Sequence, residues 1–256
     1  MDFNKNIIYA AIAGDIAGSL YEGSDRPYIQ PSFDNLIESG HFTDDTVLTI
    51  AVLDALKHGY GMAQSFSKWA RKYPNCGFSK KFKEMFVDIP ESSFFPTGIA
   101  SSANGAIMML SPFIALQKSS GKFDFLKEGN PMQRLDEAVN VSHDCDLARK
   151  VAYAYVFNSK DILPFLPNYA ELKKEHMFDM SAFGTLLRAA ACYAAGNSLE
   201  DVILNAISLG GDTDTTASIA AVLYARGSNY SEEMSHMIDM VHYKLTGEML
   251  KVIEKD

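Results

Sequence analysis

Two short stretches of this 256-residue chain concentrate hard oxygen donors: Thr43, Asp44, Asp45 and Thr46 in HFTDDTVLTIAVLDAL, and Asp212, Asp214 and three threonines in LGGDTDTTAS. An Asp or Thr at a helix N-terminus ordinarily caps it, accepting orphan backbone N–H groups at the positive end of the dipole. A cap accounts for one residue of each cluster and leaves the rest unexplained. If the carboxylates of Asp44, Asp45, Asp212 and Asp214 converge, each pair about 4 Å apart repels by about 1 kcal/mol at water's dielectric and by about 4 at an effective value of 20. Such a group must take up protons or hold cations. Carboxylates and hydroxyls without clustered His or Cys select hard ions, Mg²⁺ or Mn²⁺ rather than Zn²⁺. Four carboxylates balance two divalent ions. Convergence is the premise, because well over a hundred residues separate the clusters.

The elements that must position these donors read as helices. Val47, Ile50, Ala51, Leu53 and Ala55 follow helical spacing from a start at Thr43 or Asp44 to an end near Gly59. Similar stripes predict helices over Ala148 to Phe157, Ala182 to Ala195, Val202 to Leu209, Ala217 to Tyr224 and Met234 to Leu245. Ser198 with Asp201 reads as a capping box. Hairpin signals are missing, and the one Asn-Gly, at Asn104, sits in a helix-like setting. The chain is therefore expected to be all-α, a compact multi-helix bundle forming one domain over residues 1–256. No linker composition or fixed-period repeat divides it, and only Asp88 to Pro96 reads as a surface loop.

Composition narrows the partners. A formal charge of −9 with scattered lysines argues against nucleic acid or an anionic membrane. Cys76, Cys145 and Cys192 lack zinc-site spacing and read as reduced thiols of a cytoplasmic protein. The apolar run Ile7 to Ala13 is interrupted by Asp15, too early for a signal peptide, and no uncharged run reaches the roughly 20 residues that a membrane span needs.

GDIAGSLYEG (Gly14 to Gly23), FTDDT (Phe42 to Thr46), ANGAIMM (Ala103 to Met109), SHD (Ser142 to Asp144) and GGDTDTTAS (Gly210 to Ser218) occur in an order and spacing that resembles the ADP-ribosylglycohydrolases. The likeness runs from residue 10 to 226, and the FTDDT and GGDTDT pair is its most specific part. It implies an orthogonal all-α bundle with two Mg²⁺ or Mn²⁺ ions in a cleft, and hydrolysis of the bond joining ADP-ribose to an acceptor. Residue by residue, it implies that Thr43, Asp44 and Asp45 form one set of metal ligands and Asp212, Asp214 and Thr215 the other. Glu22, or else Asp45, would be the proton-transferring carboxylate, with Asp15 holding loops together. Asn104, Gly105 and His143 would approach the ligand. Phe178 and Phe183 offer rings for adenine, although at helical spacing such residues are more often core. The chain departs from the family in having Met108-Met109 where a Met-Arg pair is usual, and Ala220-Ala221 and Ala225 where glycines are common.

The partner implied is an ADP-ribosylated protein side chain, such as arginine or serine, or a small ADP-ribose conjugate, with nucleic acid entering only as a modified end. Two alternatives stand beside this reading. One is a non-catalytic ADP-ribose-binding or structural relative on the same fold. The other is a phosphatase of the haloacid-dehalogenase type, since DTDTT resembles a DxDxT nucleophile loop, which ends a β-strand.

Overall fold

The computed structural model describes residues 3–24, 32–90, 98–120, 130–158, 160–174, 178–227 and 232–255. Its helices are α1 (Lys5–Gly18), α2 (Phe33–Ser39), α3 (Asp44–His58), α4 (Met62–Lys72), α5 (Lys80–Phe86), α6 (Ser111–Ser120) and α7 (Pro131–Asn140). They are followed by α8 (Asp146–Phe157), α9 (Tyr169–Leu172), α10 (Ala182–Ala195), α11 (Leu199–Ser208), α12 (Thr213–Gly227), α13 (Glu232–His242) and α14 (Gly247–Glu254). Short 3₁₀ turns lie at Asn104–Ala106 and Lys160–Phe165. Extended pairing among the described residues is confined to isolated bridges, so the all-α expectation holds.

Local chemistry sets many of these boundaries. Thr43 caps α3, and Gly59 ends it in the left-handed conformation, φ 73°, that glycine adopts without strain. Ser198 caps α11 by accepting the Asp201 N–H at 3.0 Å, as its spacing predicts. The helix α10 spans the expected Ala182–Ala195. The expectation fails at α12, which begins four residues before Ala217, so that Asp214 and Thr215 stand in its first turn. Of the loop expected at Asp88 to Pro96, residues 91–96 lie outside the described residues.

The core is organised on α1 and α12, both buried on nearly every face. Ile7, Ile8, Ile12 and Ile16 are completely buried, each such side chain contributing about 1.5–3 kcal/mol relative to exposure. Two glycines let the axes approach: a Cβ on Gly14 would lie 2.4 Å from the Ala217 carbonyl oxygen, and one on Gly18 2.5 Å from the Asp214 Cα. The helices α6, α10, α11 and α13 close around this pair. The buried apolar side chains form one cluster running from Phe3 to Ile253. The phosphatase reading loses its scaffold here, because DTDTT follows a helix and opens another where that loop requires a strand.

Candidate active site

The first acidic cluster is held by α1. Asp15 is wholly buried, and its carboxylate accepts the Thr43 N–H at 2.9 Å, the Thr43 hydroxyl at 2.6 Å, the Thr46 N–H at 3.2 Å and the Thr46 hydroxyl. Burial raises its pKa, and these hydrogen bonds pull it back down. Asp15 thus fixes the start of α3. This role also uses the Thr43 hydroxyl, and Thr43 is not part of the cavity wall that the aspartates form. Asp15→Asn places an N–H₂ among four donors, and should destabilise the fold by about 2–4 kcal/mol. Urea unfolding at pH 7 checks this; a loss below about 0.5 kcal/mol would show that the clamp is dispensable.

The second cluster is held by a turn. Gly210 and Gly211 both have positive φ, 67° and 78°, which a side chain would strain. Gly211 pairs with the end of the α1 loop: Gly23 N–H donates to the Gly211 carbonyl at 2.8 Å, and Gly211 N–H to the Ser24 carbonyl at 3.0 Å. This short bridge places Glu22 beside Asp212. The Thr213 hydroxyl donates to the Gly18 carbonyl at 2.7 Å, seating α12 on α1. The Asn104 amide donates to Asp212 Oδ2 at 2.6 Å and to Thr185 Oγ1 at 3.2 Å, while the Thr215 hydroxyl reaches Asp45 Oδ1 at 3.3 Å. The 3₁₀ turn at Asn104 is itself pinned to the start of α10 through Asn104 N–H and the Met180 carbonyl, 2.8 Å.

The clusters therefore meet. Asp44, Asp45, Asp212, Asp214 and Thr215 line one cavity of about 160 Å³, together with Glu22. At about 30 Å³ per water, it takes roughly five water-sized groups, the scale of a single sugar ring. Asn104, Gly105 and His143 also face it, and a Cβ on Gly105 would come within 3.0 Å of the imidazole. Phe178 and Phe183 do not line it. Phe178 is 56% exposed over Gly211, and Phe183 meets Phe165 edge to face at 5.7 Å. The aromatic wall is Phe82, with Met108, Met180 and Leu48 as further apolar lining. No motif marked Phe82; its signal is the spacing of Phe78, Phe82 and Phe86, whose ring centroids lie 4.9 and 4.6 Å apart, the first pair stacked and the second tilted. Gly77 was missed too, and a Cβ there would lie 2.9 Å from Asp44 Oδ1.

Electrostatically the site is strained. Burial, then the charge of Asp15, pushes the Asp44 carboxyl up to about 7. Burial and the charge of Asp214 raise Asp45 well above the usual range. Asp214 is raised likewise by burial, and next by Asp212, which stands within hydrogen-bonding reach. Glu22, at the exposed rim, is raised by partial burial and by Asp212 and Asp15. Burial alone lowers His143 to about 4, so its ring is neutral at pH 7. Its Nδ1 lies 2.8 Å from the Ser142 hydroxyl.

Raised carboxyls give a signed prediction. The folded chain holds protons that the unfolded chain has released between about pH 4, the ordinary aspartate value, and about 7, where Asp44 titrates. Unfolding free energy therefore falls as pH rises through that window. In chelator, this cluster should make the protein more stable at pH 5 than at pH 8. Asp44 keeps some contact with solvent, which screens its share to about 2 kcal/mol, or roughly 4–8 °C in Tm. Excess Mg²⁺ should remove most of the difference, because a cation replaces the protons. Thermal melts at the two pH values, with chelator or with Mg²⁺, decide it, and a chelated protein more stable at pH 8 contradicts it.

The donor set fits hard cations. Among the described residues no three Asp, Glu, His or Cys side chains already close around a single point. The fit rests on chemistry: Asp45 Oδ2 is buried and has no hydrogen-bond partner among the described residues, beside three further carboxylates whose mutual repulsion calls for positive charge. A buried, unpartnered carboxylate oxygen is costly unless a proton or an ion satisfies it.

An all-α scaffold thus gathers aspartates from two helix starts around one cavity. The ADP-ribosylglycohydrolase family profile matches residues 5–158, and the chain belongs to that family. The match ends before Gly210, short of the residue 226 reached by the likeness in sequence, so the second cluster's place in the site comes from the fold. Among solved structures, one described as an "ADP-ribosylglycohydrolase-related protein complex" superposes with a TM-score of 0.63 at 16% identity, covering 94% of this chain and 98% of that one, which establishes the fold. No curated protein matches the chain. Membership supports a glycohydrolase-type activity in general terms, and the family is generally metal-dependent. Among the described residues, no helix is long and apolar enough to cross a membrane.

Proposed function

We propose that the chain, read as one domain, is an Mg²⁺- or Mn²⁺-dependent hydrolase that cuts the bond between the anomeric carbon of ADP-ribose and an acceptor. One observation carries this: the starts of α3 and α12, far apart in sequence, present four aspartates to one cavity, and the innermost keeps an oxygen without a partner. Asp44, Asp45, Asp212, Asp214 and Thr215 would hold two divalent ions; Thr43 supports the first group by fixing the turn. When bound, the ions supply positive charge that lowers the cost of the buried carboxylates and orients water and ribose hydroxyls.

The chain's own residues do the rest. Cleavage passes through positive charge on the sugar, which the surrounding carboxylates favour. Glu22 at the rim and Asp45 at the floor are the candidates to take a proton from water, and partial burial, with Asp212 and Asp15 nearby, raises the pKa of Glu22 toward the working pH. Neutral His143 and the amide of Asn104 offer hydrogen bonds without adding charge. Phe82, Met108 and Met180 provide a dry wall. Met109, wholly buried, stands where the family's Met-Arg pair carries its cation, so an anionic part of the substrate would need its counter-charge elsewhere.

Incubating the protein with arginine-linked and serine-linked ADP-ribosyl peptides and with an acetylated ADP-ribose tests the reading. Release of ADP-ribose from at least one is expected with Mg²⁺ or Mn²⁺ and not with chelator. Tight ADP-ribose binding with no release from any of them would favour a binding protein on this fold.

A further inference from the structure

A second cavity, of about 490 Å³, opens between the C-terminal turns of α10 and α12 and the 3₁₀ turn Lys160–Phe165, and shares no residue with the acidic site. Its body is apolar: Ile162, Leu166, Ala190 and Leu223 form walls, and Leu163 stands at the lip, 58% exposed. Its polar character is one-sided. Arg226 and Lys160 line it, and none of the described lining residues is acidic, in a chain whose formal charge is −9.

Arg226 is the informative residue. Its guanidinium donates to the Tyr155 carbonyl at 3.0 Å and to Gln117 Oε1 at 2.7 Å, both neutral acceptors. A guanidinium carries five donors, so most remain for a ligand, and it forms no ion pair among the described residues. Partial burial lowers its pKa. The helix ends at this cavity oppose an anion, each carrying about half a negative charge. Arg226 already occupies one of them, the last turn of α8 at Tyr155. Against all three helix ends, about one and a half negative charges together, the two positive charges of Arg226 and Lys160 still leave the cavity positive.

We infer that this cavity binds a small amphipathic carboxylate, its apolar body between Ile162, Ala190 and Leu223 and its head on Arg226, with Lys160 beside it. An unbranched ten-carbon carboxylate fits, since the volume corresponds to roughly sixteen water-sized groups. From Asp214 to Arg226 the path along α12 is about 18 Å, so such a ligand does not touch the acidic cavity. The inference is independent of the proposed hydrolysis and is tested without it.

Calorimetric titration of the whole chain in chelator, with decanoate as probe, should show saturable one-to-one binding with Kd of about 1 mM or tighter. Decan-1-ol, decyltrimethylammonium and butyrate should each bind at least about tenfold more weakly, lacking either the head or the body. Arg226→Gln should weaken decanoate binding about tenfold or more. Because that change also removes the contact with Tyr155, Ala194→Trp serves as the second variant: position 194 is exposed at the cavity wall, and the larger ring should block entry without disturbing the core. Both variants binding like wild type would overturn the inference. So would decanol binding as tightly as decanoate, or uptake that fails to saturate at one equivalent, or decanoate acting only by dissociating a dimer of this chain.

Discussion

Valine in place of Gly14 should leave no folded protein. At this position α1 crosses α12 so closely that even a Cβ would stand 2.4 Å from the Ala217 carbonyl oxygen and 2.5 Å from the Ser218 nitrogen. Those atoms are helix backbone, which cannot rotate aside as a side chain can. Overpacking a core ordinarily costs about 1–3 kcal/mol, after neighbouring side chains repack. With backbone on both sides the helices must separate, and the α1 isoleucines lose their contacts with them. A cost above about 5 kcal/mol is comparable to the whole stability of an ordinary domain. Gly18→Ala is the milder version: its Cβ would press on the Asp214 Cα, so helicity should largely survive while the acidic cavity is displaced and activity is lost. Circular dichroism and the soluble yield of both variants measure the effect. A Gly14→Val protein with wild-type Tm would mean that the helices do not cross so closely.

The second large effect separates Asp45 from Glu22. Asp45→Asn should lower kcat by about 10³ or more, and should also lower the number of divalent ions bound, because the lone oxygen at the cavity floor is lost. Glu22 stands at the rim, where it is less buried, so Glu22→Gln should leave ion content unchanged. If Glu22 moves the proton, kcat falls by about 10² to 10⁴ with KM nearly constant. If Asp45 is the base, Glu22→Gln mainly changes KM. Measuring both constants and the bound metal for each variant assigns the role, and a Glu22→Gln enzyme with wild-type kcat removes Glu22 from it.

Much of this arrangement was legible in the sequence, where a residue's neighbours along the chain determine its state. The start of α3 at Thr43, the end at Gly59 and the span of α10 follow from caps and periodicity. The start of α12 was not legible, because apolar spacing gives no signal for Thr213 to Thr216. These polar residues are buried and helical because partners nearly two hundred positions away, such as the Gly18 carbonyl and Asp45, accept their hydrogen bonds. The same limit explains the wall of the site. Phe82 faces the cavity because of how α5 sits against α4, which spacing alone does not encode, whereas Phe178, two residues before the cavity's Met180, lies over Gly211 instead. The Thr43 hydroxyl donates its proton to Asp15, a contact that its place beside Asp44 and Asp45 in the sequence did not show.

The crossing of α1 and α12 also bears on how the chain reaches its native state. The helix that forms the centre of the core lies among the first eighteen residues, and its main partner ends at Gly227. Contacts so distant in sequence require closing a very long loop and are slow to form. During synthesis at about 5–20 residues per second, the first helix waits on the order of ten seconds or more for its mate, with its isoleucines exposed. Nascent-chain capture by a holdase, or aggregation of fragments that end before Thr213, would follow from this delay. The acidic cavity, which needs both helices, would be among the last parts of the molecule to form.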